Sequence, residues 1–337
     1  MKRKGKYVTG AIVAGALLLA AAGISGRWQS SETQKNSEER KRINFIAAIA
    51  NNGYWGRAAD GAMQTADQNN MEVKCLGQTN LGSQNLLDNL EISINSDLDG
   101  IITYGLNQSP EFQTLLEEAD EKGIPVVLID SDVETEHKLC YIGIDDYGSG
   151  WMAGKEMAEE CNGKAEILMI ISEKNITNQI ERLKGFRAAI QDYPDMKIVD
   201  MLECGSSLLT AQRLVTKVME EQPYINAIFC AEGMGTGACC YVMEKQNRKV
   251  DDSMHIIGYD YNSVTKKAIE EGSLSACIQQ DSRQMGELAA EVLHQYLNEG
   301  IRPDATIHTH ASLIRKDNMQ EAEKIDSKNV EVEWNYY

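Results

Sequence analysis

Basic residues are scarce in this chain: 33 Lys and Arg stand against 51 Asp and Glu, for a formal net charge of -18. Such a surface repels phosphate backbones and anionic headgroups, which argues against nucleic acid as a partner. Catalytic signatures are missing as well. There is no Gly-x-Ser-x-Gly elbow, no Gly-Lys-Ser/Thr phosphate loop and no Gly-x-Gly-x-x-Gly after a first strand, so no motif supports an enzyme. The eight Cys (75, 140, 161, 204, 230, 239, 240 and 277) show neither a Cys-x-x-Cys pair nor a Cys/His metal spacing. They read as free thiols serving as small core hydrophobes, and the adjacent Cys239 and Cys240 point to different faces of a helix. The pair in His308-Thr309-His310 would share one face of a strand by alternation, with no further ligands nearby, so it reads as structural. No metal, cofactor or catalytic role is expected.

The first residues are Met1-Lys2-Arg3-Lys4-Gly5-Lys6, followed by an uncharged run from Tyr7 to Gly26 rich in Ala, Leu, Ile and Val. A basic start plus an apolar run is an export signal. Ala20-Ala21-Ala22 supplies the small residues a signal peptidase needs, and the run also approaches the roughly 20 residues that span a bilayer, so cleavage and retention as an anchor both stay open. No Cys lies near its end, which argues against a lipid anchor. Residues 27–42 are too polar to pack and read as a tether. The stretch 318–337 is a polar tail closing on Trp334-Asn335-Tyr336-Tyr337.

From Ile43 onward, short apolar runs alternate with amphipathic stretches, the pattern of βαβ units and a parallel sheet. Strands are expected at 43–50, 71–76, 100–104 and 125–130, then at 165–171, 197–203, 227–230, 255–259 and 275–280. Helices are expected at 56–68, 82–94, 111–122, 179–192, 208–221, 235–246 and 263–271. A single core rarely grows past about 250 residues, so two lobes are expected.

Five motifs sit along this frame: Asn51-Asn52-Gly53-Tyr54-Trp55, Val126-Val127-Leu128-Ile129-Asp130, Glu181-Arg182-Leu183-Lys184-Gly185-Phe186, Gly258-Tyr259-Asp260 and Ile278-Gln279-Gln280. In order and spacing they resemble the ribose/galactose family of periplasmic binding proteins, the type 1 solute-binding fold, across about residues 43–315. The resemblance implies an α/β protein of two doubly wound parallel-sheet lobes joined by a three-segment hinge, with crossings near Asp145, Asp281 and His308–His310. It divides the chain into a first lobe of 43–145 plus 281–308 and a second of 146–280 plus 309–317. Ligands of open α/β sheets bind outside the carboxyl ends of the strands, and the motifs fall there.

By the same resemblance, Tyr54 and Trp55 pack on the apolar face of a sugar ring, and Asn52 binds a hydroxyl through its amide. Asp130 and Asp260 each accept from neighbouring hydroxyls, Arg182 donates to ring oxygen or hydroxyls, and Gln280 adds an amide at the second crossing. The competing readings are local: loop packing for the aromatics, a turn for Asn52, helix capping for Asp130 and Asp260, a surface ion pair for Arg182 and hinge packing for Gln280.

The departures matter equally. Ser131 stands where ribose-binding proteins carry Arg, the aromatic expected around Gly205-Ser206-Ser207 is absent, and Ala231-Glu232 replaces the usual Asn-Asp. Ribose is thereby put in doubt. If Glu232 lines the cleft, Asp130, Glu232 and Asp260 against Arg182 leave it at net minus two; the alternative is that Glu232 faces solvent or caps the next helix.

The expected function is an extracytoplasmic binding protein that traps a sugar-like small molecule, for uptake by the membrane permease of an ABC transporter or for report to a membrane sensor kinase. An enzyme on a similar fold is the rival from another class. A sugar-responsive repressor needs a helix-turn-helix where this chain has its export signal, and is rejected.

Overall fold

A computed structural model describes residues 40–79, 82–247, 254–320, 322 and 332–335. The expected signal or anchor at 1–26, and nearly all of the 27–42 tether, lie outside the described residues. Among the described residues no helix is long and apolar enough to cross a membrane.

The first lobe opens with β1 (Lys41–Ile46), α1 (Gly53–Gln68), β2 (Met71–Leu76), α2 (Ser83–Ile94), β3 (Gly100–Thr103), α3 (Pro110–Glu121), β4 (Val126–Ile129) and β5 (Cys140–Gly143). The chain then enters α4 (Asp146–Glu160), β6 (Lys164–Ile171), α5 (Thr177–Ile190), β7 (Asp195–Glu203), α6 (Leu208–Glu221), β8 (Ala227–Cys230), α7 (Gly233–Lys245), β9 (His255–Tyr259), α8 (Ser263–Glu271) and β10 (Ala276–Gln280). It closes with α9 (Ser282–Glu299), β11 (Thr306–His308), β12 (Ala311–Ile314) and β13 (Trp334–Asn335). One sheet runs β11-β5-β4-β3-β1-β2-β13, the other β12-β10-β9-β8-β6-β7. All pairings are parallel except β10 with β12.

The central strands are buried along their whole length, which is why they read as unbroken apolar runs such as Val126-Val127-Leu128-Ile129. In β6, Ile167 and Met169 face one core while Leu168 and Ile170 face another, the period-2 alternation of a strand covered on both sides. Helix starts are set by side-chain caps: Ser109 accepts from Phe112 N ahead of Pro110, Asp145 from Gly148 N, Asp281 from Gln284 N, and Asn262 with Thr265 forms a capping box.

The chain passes from the first sheet to the second between β5 and β6, back between β10 and β11, and over again between β11 and β12. The tail adds a further return: Trp334 and Asn335 pair with Cys75 and Leu76 on the edge of β2. His308 ends β11 in one sheet and His310 precedes β12 in the other, so the two do not alternate on one strand as expected.

Close helix packing fixes the geometry beside the crossings. A Cβ at Gly150 would collide with the Arg182 carbonyl, and one at Gly185 with the Tyr147 carbonyl, so the backbones of α4 and α5 meet only because both positions are glycine. That approach places the side chain of Arg182 beside the start of α4.

Candidate functional site

The carboxyl ends of the strands from both sheets surround a cavity of about 460 Å³, within the roughly 300–1,000 Å³ of small-molecule sites. Asn52, Tyr54, Trp55, Asp130, Arg182, Glu232, Asp260 and Gln280 all line it.

Asp130 follows β4 and Asp260 follows β9, and both take the left-handed backbone region, at φ 66° and 68°. Non-glycine residues seldom adopt it, and where they do the turn aims a side chain at a cost. Neither caps a helix: α8 is capped by Asn262, and no helix starts at Asp130. Asp130 Oδ1 accepts from the Tyr54 hydroxyl (2.6 Å) and Oδ2 from Asn178 Nδ2 (3.2 Å). Asp260 Oδ1 accepts from Gln280 Nε2 (2.9 Å). Burial pushes both carboxyls above their ordinary pKa, against the pull of Arg182. At Asp130 the negative charge of Asp260 pushes further the same way.

Arg182 is 2% exposed, so its ion pair is buried rather than at the surface. Nε donates to Asp146 Oδ1 (2.8 Å), one terminal nitrogen to the Ala231 carbonyl (3.0 Å) and the other to Gln280 Oε1 (2.9 Å), while the guanidinium lies 4.1 Å from the Tyr259 ring centre. Burial works against the charge, but Asp146, Tyr259, Asp130 and Asp260 together override it and raise the pKa. Gln280 thus links Arg182 to Asp260 in one relay.

The aromatics and Asn52 start α1 rather than a loop. Asn52 accepts from Tyr54 N (2.8 Å) as the N-cap, so the helix begins at Gly53, three residues before the expected Gly56. Trp55, only 6% exposed, packs its ring against Phe45, Tyr54 and Tyr104 at 5.5 to 6.4 Å. It thus packs in the lobe's own core and also lines the cavity. Glu232 is the N-cap of α7: it accepts from Met234 N (2.8 Å), Gly235 N and the Cys204 thiol (3.4 Å). Burial raises its pKa against these bonds. Its charge faces a helix N-terminus, which weakens the expectation that it reads ligand charge.

Sequence reasoning missed several groups. Tyr104 follows β3 as Asp130 follows β4; Asn178 sits four residues before Arg182 on α5, the spacing that shares a helix face. Asp146 adjoins the first crossing. Asn178 Oδ1 and Ser131 Oγ are buried without a hydrogen-bond partner, and both residues line the cavity. Among the described residues no cluster of His, Cys, Asp and Glu suits a metal ion.

The family model for the periplasmic binding protein domain matches residues 43–301. The ribose import binding protein RbsB of Bacillus subtilis is 23% identical over 283 residues, 84% of this chain and 90% of that protein. A glucose-galactose binding protein, GanP of Geobacillus stearothermophilus, superposes with a TM-score of 0.79 at 26% identity, covering 84% of this chain and 99% of that one. The XylFII-LytSN complex contains a chain that matches at 30% identity with a TM-score of 0.76, over 83% of this chain and 99% of that one. The helix-turn-helix transcriptional regulator CelR of Thermobifida fusca is 24% identical over 176 residues, 51% of this chain and about half (49%) of the regulator. With two parallel-sheet lobes, a cavity at their strand ends and a family match over most of its length, this chain belongs to the periplasmic binding protein domain family.

Proposed function

We propose that this protein is an extracytoplasmic binding protein that traps a sugar-like small molecule in the cavity between its lobes, with Asp130, Asp260, Arg182 and Gln280 as its polar grip and Tyr54 as its aromatic wall. The observation that carries this is the pair of carboxylates, each on a left-handed turn at a strand end, one from each sheet. Charge-assisted bonds to vicinal hydroxyls are short and strong, and suit a polar ring. The similarity to a ribose import binding protein and a glucose-galactose binding protein supports the same ligand class. The basic, apolar N-terminal segment supports export, with residues 1–26 as signal or anchor. The lobes divide at the crossings, 43–145 with 281–308 and 146–280 with 309–317.

The partner in this reading is the permease of an ABC transporter. A second reading, in which the closed protein reports to a membrane sensor kinase, is favoured by the similarity to a chain solved in complex with another protein, LytSN. Ligand that binds only the folded state raises the melting temperature, so a thermal-shift screen over pentoses, hexoses, amino sugars and polyols tests the ligand class. At least one sugar should raise it by several degrees. No shift with any of them at millimolar concentration contradicts the reading. In cells, deleting the gene should abolish uptake of the bound sugar if the partner is a permease. If the partner is a kinase, uptake should persist while the transcriptional response to the sugar is lost.

A further inference from the structure

Charge in the cavity is out of balance. Among the residues that line it, two partly buried carboxylates, Asp130 and Asp260, face two guanidinium groups, Arg57 and Arg182, and that of Arg182 is already paired at 2.8 Å with Asp146, which lies outside the lining. Glu232 adds a further negative charge, partly met by the N-terminus of α7, and Glu173 another at the exposed rim, where water screens it. Hydrogen-bonding capacity leans the same way. Asn178 is 5% exposed and Ser131 2%, yet the amide oxygen of one and the hydroxyl of the other have no partner. The Asn178 oxygen only accepts, whereas the Ser131 hydroxyl can donate or accept, and leaving either unpartnered is costly. A ligand hydroxyl satisfies such an acceptor but leaves the excess negative charge in place. An ammonium group brings three N–H donors, no acceptor, and one positive charge.

Resting on the reading that the cavity takes a sugar-like ligand, we propose that the preferred ligand carries a protonated amine, an amino sugar or amino polyol, with its ammonium held by Asp130, Asp260 or both. Sugars bearing a carboxylate or phosphate are rejected, because they would add negative charge and further acceptors to a site with a surplus of each. The ring hydroxyls go to Arg182 and Gln280, whose donors suit oxygen. Glu232 is not the discriminating group, since its oxygens serve the helix cap.

The test is calorimetry with the wild-type protein on matched sets: ribose, glucose, galactose and fructose, their monoamino derivatives with the amine placed at different carbons, and their uronic acids. At least one amine should bind about tenfold or more tighter than its neutral parent, as a charge-assisted bond exceeds a neutral one, and the acids should not bind. Asp260→Asn and Asp130→Asn, each checked for native melting behaviour, should weaken neutral sugars through the lost charge-assisted hydroxyl bonds and amines by more, so that the amine-to-neutral ratio falls toward one. Neutral parents that bind as tightly as every amine overturn the inference and leave the sugar reading standing; binding by none of the sugars defeats both. An amine preference that survives both Asn variants overturns the assignment to these carboxylates.

Discussion

Arg182 Nε lies 2.8 Å from Asp146 Oδ1, in a buried ion pair that ties α5 to the first turn of α4 where the chain crosses between sheets. The same guanidinium reaches Gln280 and, through it, Asp260. One side chain therefore serves both the frame and the cavity.

Truncating Arg182 should thus do more than weaken a ligand. Arg182→Met leaves Asp146 buried without its partner, which costs about 3–5 kcal/mol where a buried pair is broken from one side. Chemical denaturation should show that loss, and the double variant Arg182→Met with Asp146→Asn should recover much of it. A single variant as stable as the wild type would mean that the pair carries no structural load.

Asp146 also sets a pH dependence. Burial, opposed by Arg182, pushes its pKa from 3.8 up to about 6. Between those values the native chain keeps a proton that the unfolded chain has lost, so this group's contribution to stability falls as pH rises through the window and is level above it. The stability of the wild type relative to Asp146→Asn should therefore decline from about pH 4 to about pH 6. A difference that is flat or rising over that range, by denaturant melts at fixed salt, contradicts the assignment.

Glu232 is expected to act on the fold more than on the ligand. Glu232→Ala removes the α7 cap and should cost about 1 kcal/mol, in the usual range for a lost N-cap. Ligand affinity should change little. A loss of affinity larger than tenfold with unaltered melting would return Glu232 to the ligand's contact surface.

Much of the frame was legible in the residues, because strands buried on both faces read as apolar runs and β2, β8 and β9 fall at the expected positions. The pair β4 and Asp130, and β9 and Asp260, could be placed by motif alone. Six elements, β5, α4, α9, β11, β12 and β13, have no counterpart among the expected ranges. β5 is only four residues long and follows a polar loop; α4 carries Gly148, Gly150 and Gly154, which suppress helix propensity, and only the fold shows why: Gly150 and Gly154 lie against α5 and Gly148 against the capping Asp145 side chain. α9 does carry a local signal, with Met285, Ala289, Val292 and Leu293 at helical spacing after the Asp281 cap. At the site, residue type identified who could bind but not what each group was already bonded to. Asn52 and Glu232 look like ligand groups in sequence and are caps in space, while Asn178 and Asp146 lie outside the motifs and enter the network through packing of α4 on α5. The docking of Trp334 on β2 depends on a free sheet edge, which no local pattern announces.

A sugar-like ligand is expected to lie between Asp130 and Asp260. A crystal structure of the protein with the sugar that gives the largest melting shift tests it most directly. The predicted result is ligand density in this cavity, within hydrogen-bond distance of both carboxylates and of Arg182 or Gln280. Stoichiometric ligand found elsewhere, with neither carboxylate in contact, would contradict the account.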